Sequence, residues 1–276
     1  MRNTEEKPPR QSDTKNTPLI ALLGMRFAAI GRGELVRNVS SALRAGRGGW
    51  IITANVDYLQ RHASNDAAAR LYDSADLIVA DGIPILWAAK LQRTPLPDRV
   101  AGSDLVWLLT AEAARSGFSI YVLGGVPAAA EEAVAAFRER FPGLLVAGVS
   151  SPVVSDEPTQ AEIEAIRSDL VPRKPDIIYV ALGAPKEERV IAALRDQCER
   201  AWWIGVGISL SFVSGRVRRA PLWMQRWSLE WLHRLVQEPR RLGRRYLIRN
   251  LPFAVRLLAR SALIGLRSRL GNEARP

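Results

Sequence analysis

The fold is decided by two apolar runs that end in small polar residues, Ile51-Ile52-Thr53-Ala54-Asn55-Val56-Asp57 and Leu77-Ile78-Val79-Ala80-Asp81-Gly82. Each run has the composition of a short β-strand. Between them, apolar side chains recur at helical spacing from Val56 to Leu71. The stretch therefore predicts a strand, a single helix and a second strand, which is the unit from which parallel sheets are built.

Polar side chains end both predicted strands. Because the carboxyl ends of parallel strands line the crevice where ligands bind, Thr53, Asn55 and Asp81 are expected at one rim of the sheet. A hydroxyl, an amide and a carboxylate at one rim make a candidate site. The alternative is structural: Asn55 or Asp57 caps the following helix, and Asp81 forms a plain turn with Gly82. The pattern alone leaves both interpretations open.

The alternation of strands and helices continues through most of the chain. Residues 1–17 are charged and proline-bearing, which predicts a disordered leader. Further strands are predicted at 19–23, 119–123, 144–149, 176–182 and 202–206. Further helices are predicted at 33–45, 85–91, 127–141, 159–171 and 185–198, and one more helix is predicted to begin at an N-cap on Ser103. Strands separated by helices of this length predict a doubly wound α/β core over residues 18–215, with a mostly parallel sheet.

Composition limits the classes of partner and the compartment. The chain has 276 residues, and 39 Lys and Arg against 28 Asp and Glu give a formal charge of +11. This excess indicates a polyanionic partner: phosphate groups, an anionic membrane or nucleic acid. Cys198 is the only cysteine, which excludes an internal disulfide and a cysteine-rich zinc site and fits the cytoplasm. We find neither a signal peptide nor a run of about 18 apolar residues.

The sequence predicts no cofactor and no metal. Gly124 and Gly125 precede a helix that begins near Pro127, where backbone amides can approach a phosphate. The third glycine and the acidic residue of a dinucleotide fingerprint are missing, as is a P-loop. There is no Asp-x-Asp pair, and His62 and His233 belong to separate predicted helices. A diphosphate would therefore be bound by Arg, Lys and backbone amides.

The composition changes after Gly215. We divide this part into a helical, Arg-rich appendage at 216–248 and an amphipathic basic tail at 249–276. From Pro239 onward there are ten Arg and one acid, Glu273. At about 100° per residue, one narrow stripe contains Arg249, Arg256, Arg260 and Arg267, and leucine and valine cover much of the remaining surface. Such a tail suits an anionic membrane surface. The alternative is a helix packed on the core with a solvated arginine edge.

Seven motifs, in order, give the chain its resemblance to a known family. They are Thr-Ala-Asn-Val-Asp at 53–57, Ala-Asp-Gly at 80–82, Arg-Val-Ala-Gly-Ser-Asp-Leu at 99–105, Gly-Ala-Pro-Lys-Glu-Glu at 183–188, Gly-Val-Gly at 205–207, Arg-Arg-Ala-Pro at 218–221 and Leu-Glu-Trp-Leu-His-Arg-Leu at 229–235, extended by a basic segment from Glu238 to Tyr246. Together they resemble the WecG/TagA/CpsF glycosyltransferase family. The resemblance implies a Rossmann-like core and an inverting, metal-independent transfer from a UDP-sugar to an undecaprenyl-diphosphate-linked sugar. It also implies a peripheral location on the inner face of the cytoplasmic membrane, where the appendage closes the site.

The resemblance, together with the chemistry of transfer, assigns the site residues. Asp81 is the candidate base, and Thr53 and Asn55 are expected to orient the sugar. For the donor diphosphate we expect Arg99 on the core. The other substrate-binding residues are Arg234, Arg241 and Arg244 of the appendage, with Lys186, Gly124 and Gly125 on the core.

Two departures from the family pattern affect these assignments. The family usually has Gln where this chain has Glu187, a carboxylate that either accepts hydrogen bonds from substrate hydroxyls or competes with Asp81 as base. The family also commonly has Phe-Asp-Phe where this chain has Leu210-Ser211-Phe212.

The rival hypothesis is a non-catalytic basic protein that binds anionic lipid or nucleic acid, but the core has no nucleic-acid motif. A nicotinamide-dependent sugar-nucleotide enzyme is disfavoured by the missing fingerprint. The donor sugar, the acceptor sugar and a homo-oligomer are left open.

Overall fold

The computed structural model describes residues 17–226 and 229–273. The strands are β1 (Leu19–Leu22), β2 (Met25–Ala28), β3 (Gly49–Ala54), β4 (Leu77–Ala80), β5 (Ser119–Gly124), β6 (Leu145–Ser150), β7 (Ile177–Ala181) and β8 (Trp202–Gly205). The helices of the core are α1 (Arg32–Arg44), α2 (Val56–Ser64), α3 (Asp66–Asp73), α4 (Ile83–Leu91), α5 (Gly102–Ser116), α6 (Pro127–Arg140), α7 (Gln160–Leu170), α8 (Lys186–Leu194) and α9 (Ser209–Val213). Beyond them lie α10 (Leu222–Arg226), α11 (Glu230–Gln237), α12 (Pro239–Gly243), a π-helical stretch (Arg244–Asn250) and α13 (Leu251–Glu273).

The main sheet has six parallel strands in the order β4-β3-β8-β7-β5-β6. Successive side chains along a strand point to opposite faces, so each strand contributes to two separate cores. On one face lie α2, α3, α4, α7, α8 and part of α13, with Trp203 of β8 among the buried residues. On the other lie α1, α5, α6 and α9, with Trp202 among them. The predicted doubly wound α/β fold with a parallel sheet is confirmed.

Four local predictions are corrected. The single helix after β3 is two helices, because the Asn65 side chain accepts a hydrogen bond from the Ala68 N–H and starts α3. The strand predicted at 19–23 pairs with an unpredicted partner, β2, in a separate antiparallel hairpin. The predicted cap Ser103 lies inside α5, which follows Ala101. The helix predicted to reach Cys198 is α-helical only to Leu194 and continues as a 3-10 helix at Arg195–Gln197. The predicted leader lies almost wholly outside the described residues.

Helix α13 packs on the core through one face only. Leu257 and Ser261 are fully buried, and a Cβ on Gly265 would collide with the Leu91 carbonyl oxygen, so this glycine lets α13 approach α4 closely. The arginines at 249, 256, 260 and 267 are all exposed. The packed-helix interpretation therefore describes one side of the tail, while the other side faces outward. None of the described helices is long and apolar enough to cross a membrane.

Candidate active site

The carboxyl ends of β3 and β4 bring Thr53 and Asp81 to one face of the sheet. The two strands pair in parallel with Ala54 opposite Ala80, and the Asp81 N–H donates to the Ala54 carbonyl at 2.8 Å, which extends the pairing by one residue. Helix α5 begins over these strand ends, and a Cβ on Gly102 would lie 3.0 Å from Thr53 Oγ1. The predicted meeting of Thr53 and Asp81 at one rim therefore agrees with the geometry.

The side chain of Asp81 is partly buried and accepts a hydrogen bond from the Gly102 backbone in the first turn of α5. Burial raises its pKa, and the charges of Glu230 and Asp104 add to that effect. Arg99 and a hydrogen bond from the Gly102 backbone oppose it, and the net result is a pKa of about 6. A carboxylate with this pKa accepts a proton more readily than ordinary aspartate yet is mostly ionised at neutral pH, which suits a general base.

Asn55 caps the helix that follows it. Its Oδ1 accepts hydrogen bonds from the backbone N–H groups of Asp57 and Tyr58, at 2.9 and 3.4 Å. Asp57, the other candidate cap, is buried and forms ion pairs with Arg61 and Arg245. The structural interpretation therefore accounts for Asn55, and a role in orienting the sugar stays a prediction.

Arg99 belongs to a cluster of alternating charges beside Asp81. Its Nη1 lies 2.6 Å from Glu230 Oε2, and Glu230 Oε1 accepts a hydrogen bond from Arg219 Nε at 3.0 Å. Arg219 Nη2 also lies 2.7 Å from Asp104. Burial alone would raise the pKa of Glu230, but the two arginines outweigh it and the pKa is lowered. Arg219 and Glu230 fall within the matched motifs, although sequence reasoning assigned neither a role.

Glu187 lies beneath the rim rather than in the open crevice. Its Oε2 accepts hydrogen bonds from the backbone N–H groups of Gly183, at 3.1 Å, and Gly207, at 3.2 Å, so one carboxyl joins the ends of β7 and β8. Tyr58 donates to Glu188 and lies 3.2 Å from Glu187 Oε1. Burial, followed by the charge of Glu188, raises the pKa of Glu187. These contacts favour a structural role for Glu187 over direct proton transfer.

We expect Glu187→Gln to make the protein more stable at alkaline pH. A carboxyl with a raised folded-state pKa stabilises the fold below the ordinary glutamate pKa, and this contribution is lost as pH rises through the raised value. Glutamine keeps an acceptor for the two N–H groups and cannot ionise. Thermal unfolding at about pH 5 and about pH 9 measures this, because about 1 kcal/mol corresponds to roughly 2–4 °C in a domain of this size. Equal pH dependence in both proteins would contradict it.

The other predicted core residues lie along the same edge of the sheet. Gly124 ends β5 with a φ of +92°, and a Cβ there would lie 2.8 Å from Leu182 Cδ2, so the close approach of β5 and β7 requires glycine. The Gly125 N–H donates to the Ala181 carbonyl at 2.8 Å. Lys186 donates to the Val154 carbonyl at 3.0 Å. Their substrate contacts stay predictions.

The appendage arginines differ in their surroundings. Arg234 lies one turn after Glu230, hence on the same face of α11. Its Nε is buried and has no hydrogen-bond partner among the described residues. Arg244 is exposed at the start of the π-helical stretch, and Arg241 lies in α12, where its side chain is not described. Of these three arginines, Arg234 is the one on the face of α11 that carries Glu230, the partner of Arg99.

The site thus combines a carboxyl of raised pKa with arginines from both core and appendage. Within residues 17–226 and 229–273, no group of three or more His, Cys, Asp and Glu side chains could hold a metal ion. In such a site Asp81 can take a proton from a substrate hydroxyl, and the arginines can bind a phosphate nearby.

Comparison with known proteins agrees with this chemistry. The model of the glycosyl transferase WecG/TagA/CpsF family matches residues 20–266. An N-acetylglucosaminyldiphosphoundecaprenol N-acetyl-beta-D-mannosaminyltransferase of Bacillus spizizenii is 32% identical over 198 residues, which are 72% of this chain and 75% of that protein. A protein of the same name from Staphylococcus aureus is 27% identical over 252 residues, 90% of this chain and 95% of its own length.

Proposed function

The chain belongs to the WecG/TagA/CpsF glycosyltransferase family, and from this we propose that it moves a sugar from a UDP-sugar to an undecaprenyl-diphosphate-linked sugar in cell-surface polysaccharide synthesis. The names of its relatives make N-acetylmannosamine the first donor sugar to test and N-acetylglucosaminyl-diphosphoundecaprenol the first acceptor. Family membership favours this enzyme over the non-catalytic basic protein. The observation that carries the proposal is the partly buried carboxyl of Asp81 at a strand end, beside Thr53 and Arg99.

In the proposed reaction, Asp81 takes the proton of an acceptor hydroxyl. The hydroxyl oxygen forms a bond to the anomeric carbon while the bond from that carbon to the donor phosphate breaks, and UDP leaves with the electron pair. Attack on the face opposite the leaving group inverts the anomeric configuration. A base with a pKa of about 6 is suited to this step near neutral pH.

The departing UDP gains negative charge, which cationic groups stabilise more strongly than they stabilise the bound donor. Arg99 supplies one such group on the core, and we propose Arg234, Arg241 and Arg244 as the appendage groups. A guanidinium donates two parallel hydrogen bonds to phosphate oxygens, so several arginines can act where other enzymes use a divalent ion.

A UDP-release assay tests the proposal. The full chain is incubated with UDP-N-acetylmannosamine, UDP-N-acetylglucosamine or UDP-glucose, each with and without a short-chain N-acetylglucosaminyl-diphosphate lipid. We expect release that depends on the acceptor and is fastest with one donor, together with a disaccharide product on the lipid. Acceptor-independent release with every donor would contradict the proposal.

Activity is expected to survive chelation. Because arginines are proposed to neutralise the diphosphate, excess EDTA should change the rate by less than about twofold. The same assay with EDTA, and then with added magnesium or manganese, measures this. A loss on chelation that either ion restores would assign the role to a metal instead.

We further propose that the protein works at the inner face of the cytoplasmic membrane, bound through α13 and α4. Leu251, Val255 and Leu266 of α13 are each more than half exposed, and so is Trp87 of α4. Leu258 of α13 lines one shallow groove with Trp87, Lys90 and Leu91 of α4. Arg93, two residues after α4, also lines it. Apolar side chains bordered by arginines are suited to an anionic lipid surface, where the lipid acceptor is also located.

A further inference from the structure

The ion pairs beside Asp81 bear on how a diphosphate enters the crevice. Arg99 and Arg219 are the cations that contact the Glu230 carboxylate, one on each oxygen. Asp104 lies 2.7 Å from Arg219 and 3.8 Å from Arg99, and the ionised Asp81 adds a third negative charge. Arg32 also lies 3.6 Å from Asp104, so three positive charges face three carboxylates. With Glu230 in place, this cluster has no net attraction for a diphosphate.

The geometry of Glu230 resembles that of a bound phosphate. Its two oxygens accept from two separate guanidinium groups, at 2.6 and 3.0 Å, which is how two arginines bind two oxygens of a phosphate. Glu230 is the first residue of α11 in the appendage, whereas Arg99 lies on the core and Arg219 lies at the start of the appendage, before α10. The carboxylate thus comes from the appendage that is proposed to close over the donor.

We propose that Arg99 and Arg219 form a paired binding site for the donor diphosphate, and that Glu230 occupies this site until the diphosphate displaces it. The inference rests on the proposed function and adds Arg219 to its binding residues. The side chains of Arg99, Arg219 and Glu230 are each about one fifth exposed, so an anion can reach them from solvent. Displacement leaves both guanidinium groups beside the leaving group, where negative charge develops.

The proposal predicts that removing the Glu230 charge tightens binding of a diphosphate. Two partly exposed ion pairs compete with the ligand, so Glu230→Gln should lower the Kd for UDP about three- to tenfold. Arg219→Gln should raise the Kd about tenfold. In the double variant the gain from Glu230→Gln should largely disappear, because Arg219, one of the two arginines for which Glu230 and the diphosphate compete, is gone.

Calorimetric titration of the full chain with UDP and, separately, with inorganic pyrophosphate makes the measurement. The matched control is Glu132→Gln, which removes a carboxylate from an Arg216 ion pair on helix α6, outside the crevice. It should leave both Kd values unchanged. Glu230→Asp, which keeps the charge, replaces Glu230→Gln if circular dichroism shows that the latter does not fold, and it should bind UDP no more tightly than the native chain.

The outcomes separate this inference from the proposed function. Tighter pyrophosphate binding by Glu230→Gln with no preference for UDP would support the paired site and contradict a UDP-sugar donor. Weaker or unchanged binding of both anions by Glu230→Gln would overturn the inference, because Glu230 would then hold the arginines in position for the ligand. Binding of neither anion by any variant would overturn it as well.

Discussion

Replacing Asp81 with Asn is expected to reduce sugar transfer about 10²- to 10⁴-fold while the fold is preserved. An amide cannot take a proton from the acceptor hydroxyl, although its oxygen can still accept the hydrogen bond from the Gly102 backbone. The effect should appear in kcat more than in KM, because the lost interaction belongs to the transition state. UDP release and far-UV circular dichroism on the same preparation measure activity and fold.

The pH profile gives the same prediction a second test. Since the base must be ionised, kcat/KM of the native chain should rise with pH through about 6 and then level off. The residual activity of Asp81→Asn should lack this rise. Asp66→Asn is the matched control and should keep the native rise, because Asp66 is exposed in the first turn of α3 and is not among the groups that shift the pKa of Asp81. Near-normal turnover by Asp81→Asn, with Glu187→Gln inactive instead, would move the base role to Glu187.

Much of the fold could be predicted because its signals are local. Apolar runs that end in small polar residues predicted every strand of the parallel sheet, and the same pattern placed Thr53 and Asp81 at its rim. The break between α2 and α3 was missed although Asn65 is a strong helix cap, since the apolar spacing continues across it. The Asn65 cap was a local signal for the break, but the continuous apolar spacing led to the prediction of a single helix.

The arrangement of the site could not be predicted in the same way because it depends on contacts between distant residues. Lys186, Glu187 and Glu188 have the composition of an exposed first helical turn, yet both glutamates are buried. Their burial follows from Tyr58, more than a hundred positions away, and from the ends of β7 and β8. The ion pair of Arg99 with Glu230 spans 131 positions. No periodicity in the sequence indicates such pairs.

Neutralising the outward arginines of α13 is expected to release the protein from anionic vesicles. The variant is Arg256→Gln, Arg260→Gln and Arg267→Gln together. Each Arg near an anionic surface contributes about 1 kcal/mol, so losing three should weaken binding by roughly 100-fold at low salt. All three side chains are exposed, so the packing of Leu257 against the core is kept. Truncation after Tyr246 would also release the chain, but it would remove that packing.

Vesicle co-sedimentation and UDP release on a soluble acceptor analogue, measured on the same variants, separate membrane binding from catalysis. The triple variant should lose sedimentation and keep most of its turnover, whereas Arg234→Ala or Arg241→Ala should keep sedimentation and lose turnover. The matched control neutralises Arg37, Arg44 and Arg138, which are exposed on helices of the opposite layer. It removes the same charge, so a general charge effect would weaken sedimentation equally. If the α13 variant sediments as well as the native chain, α13 is not the membrane-binding surface.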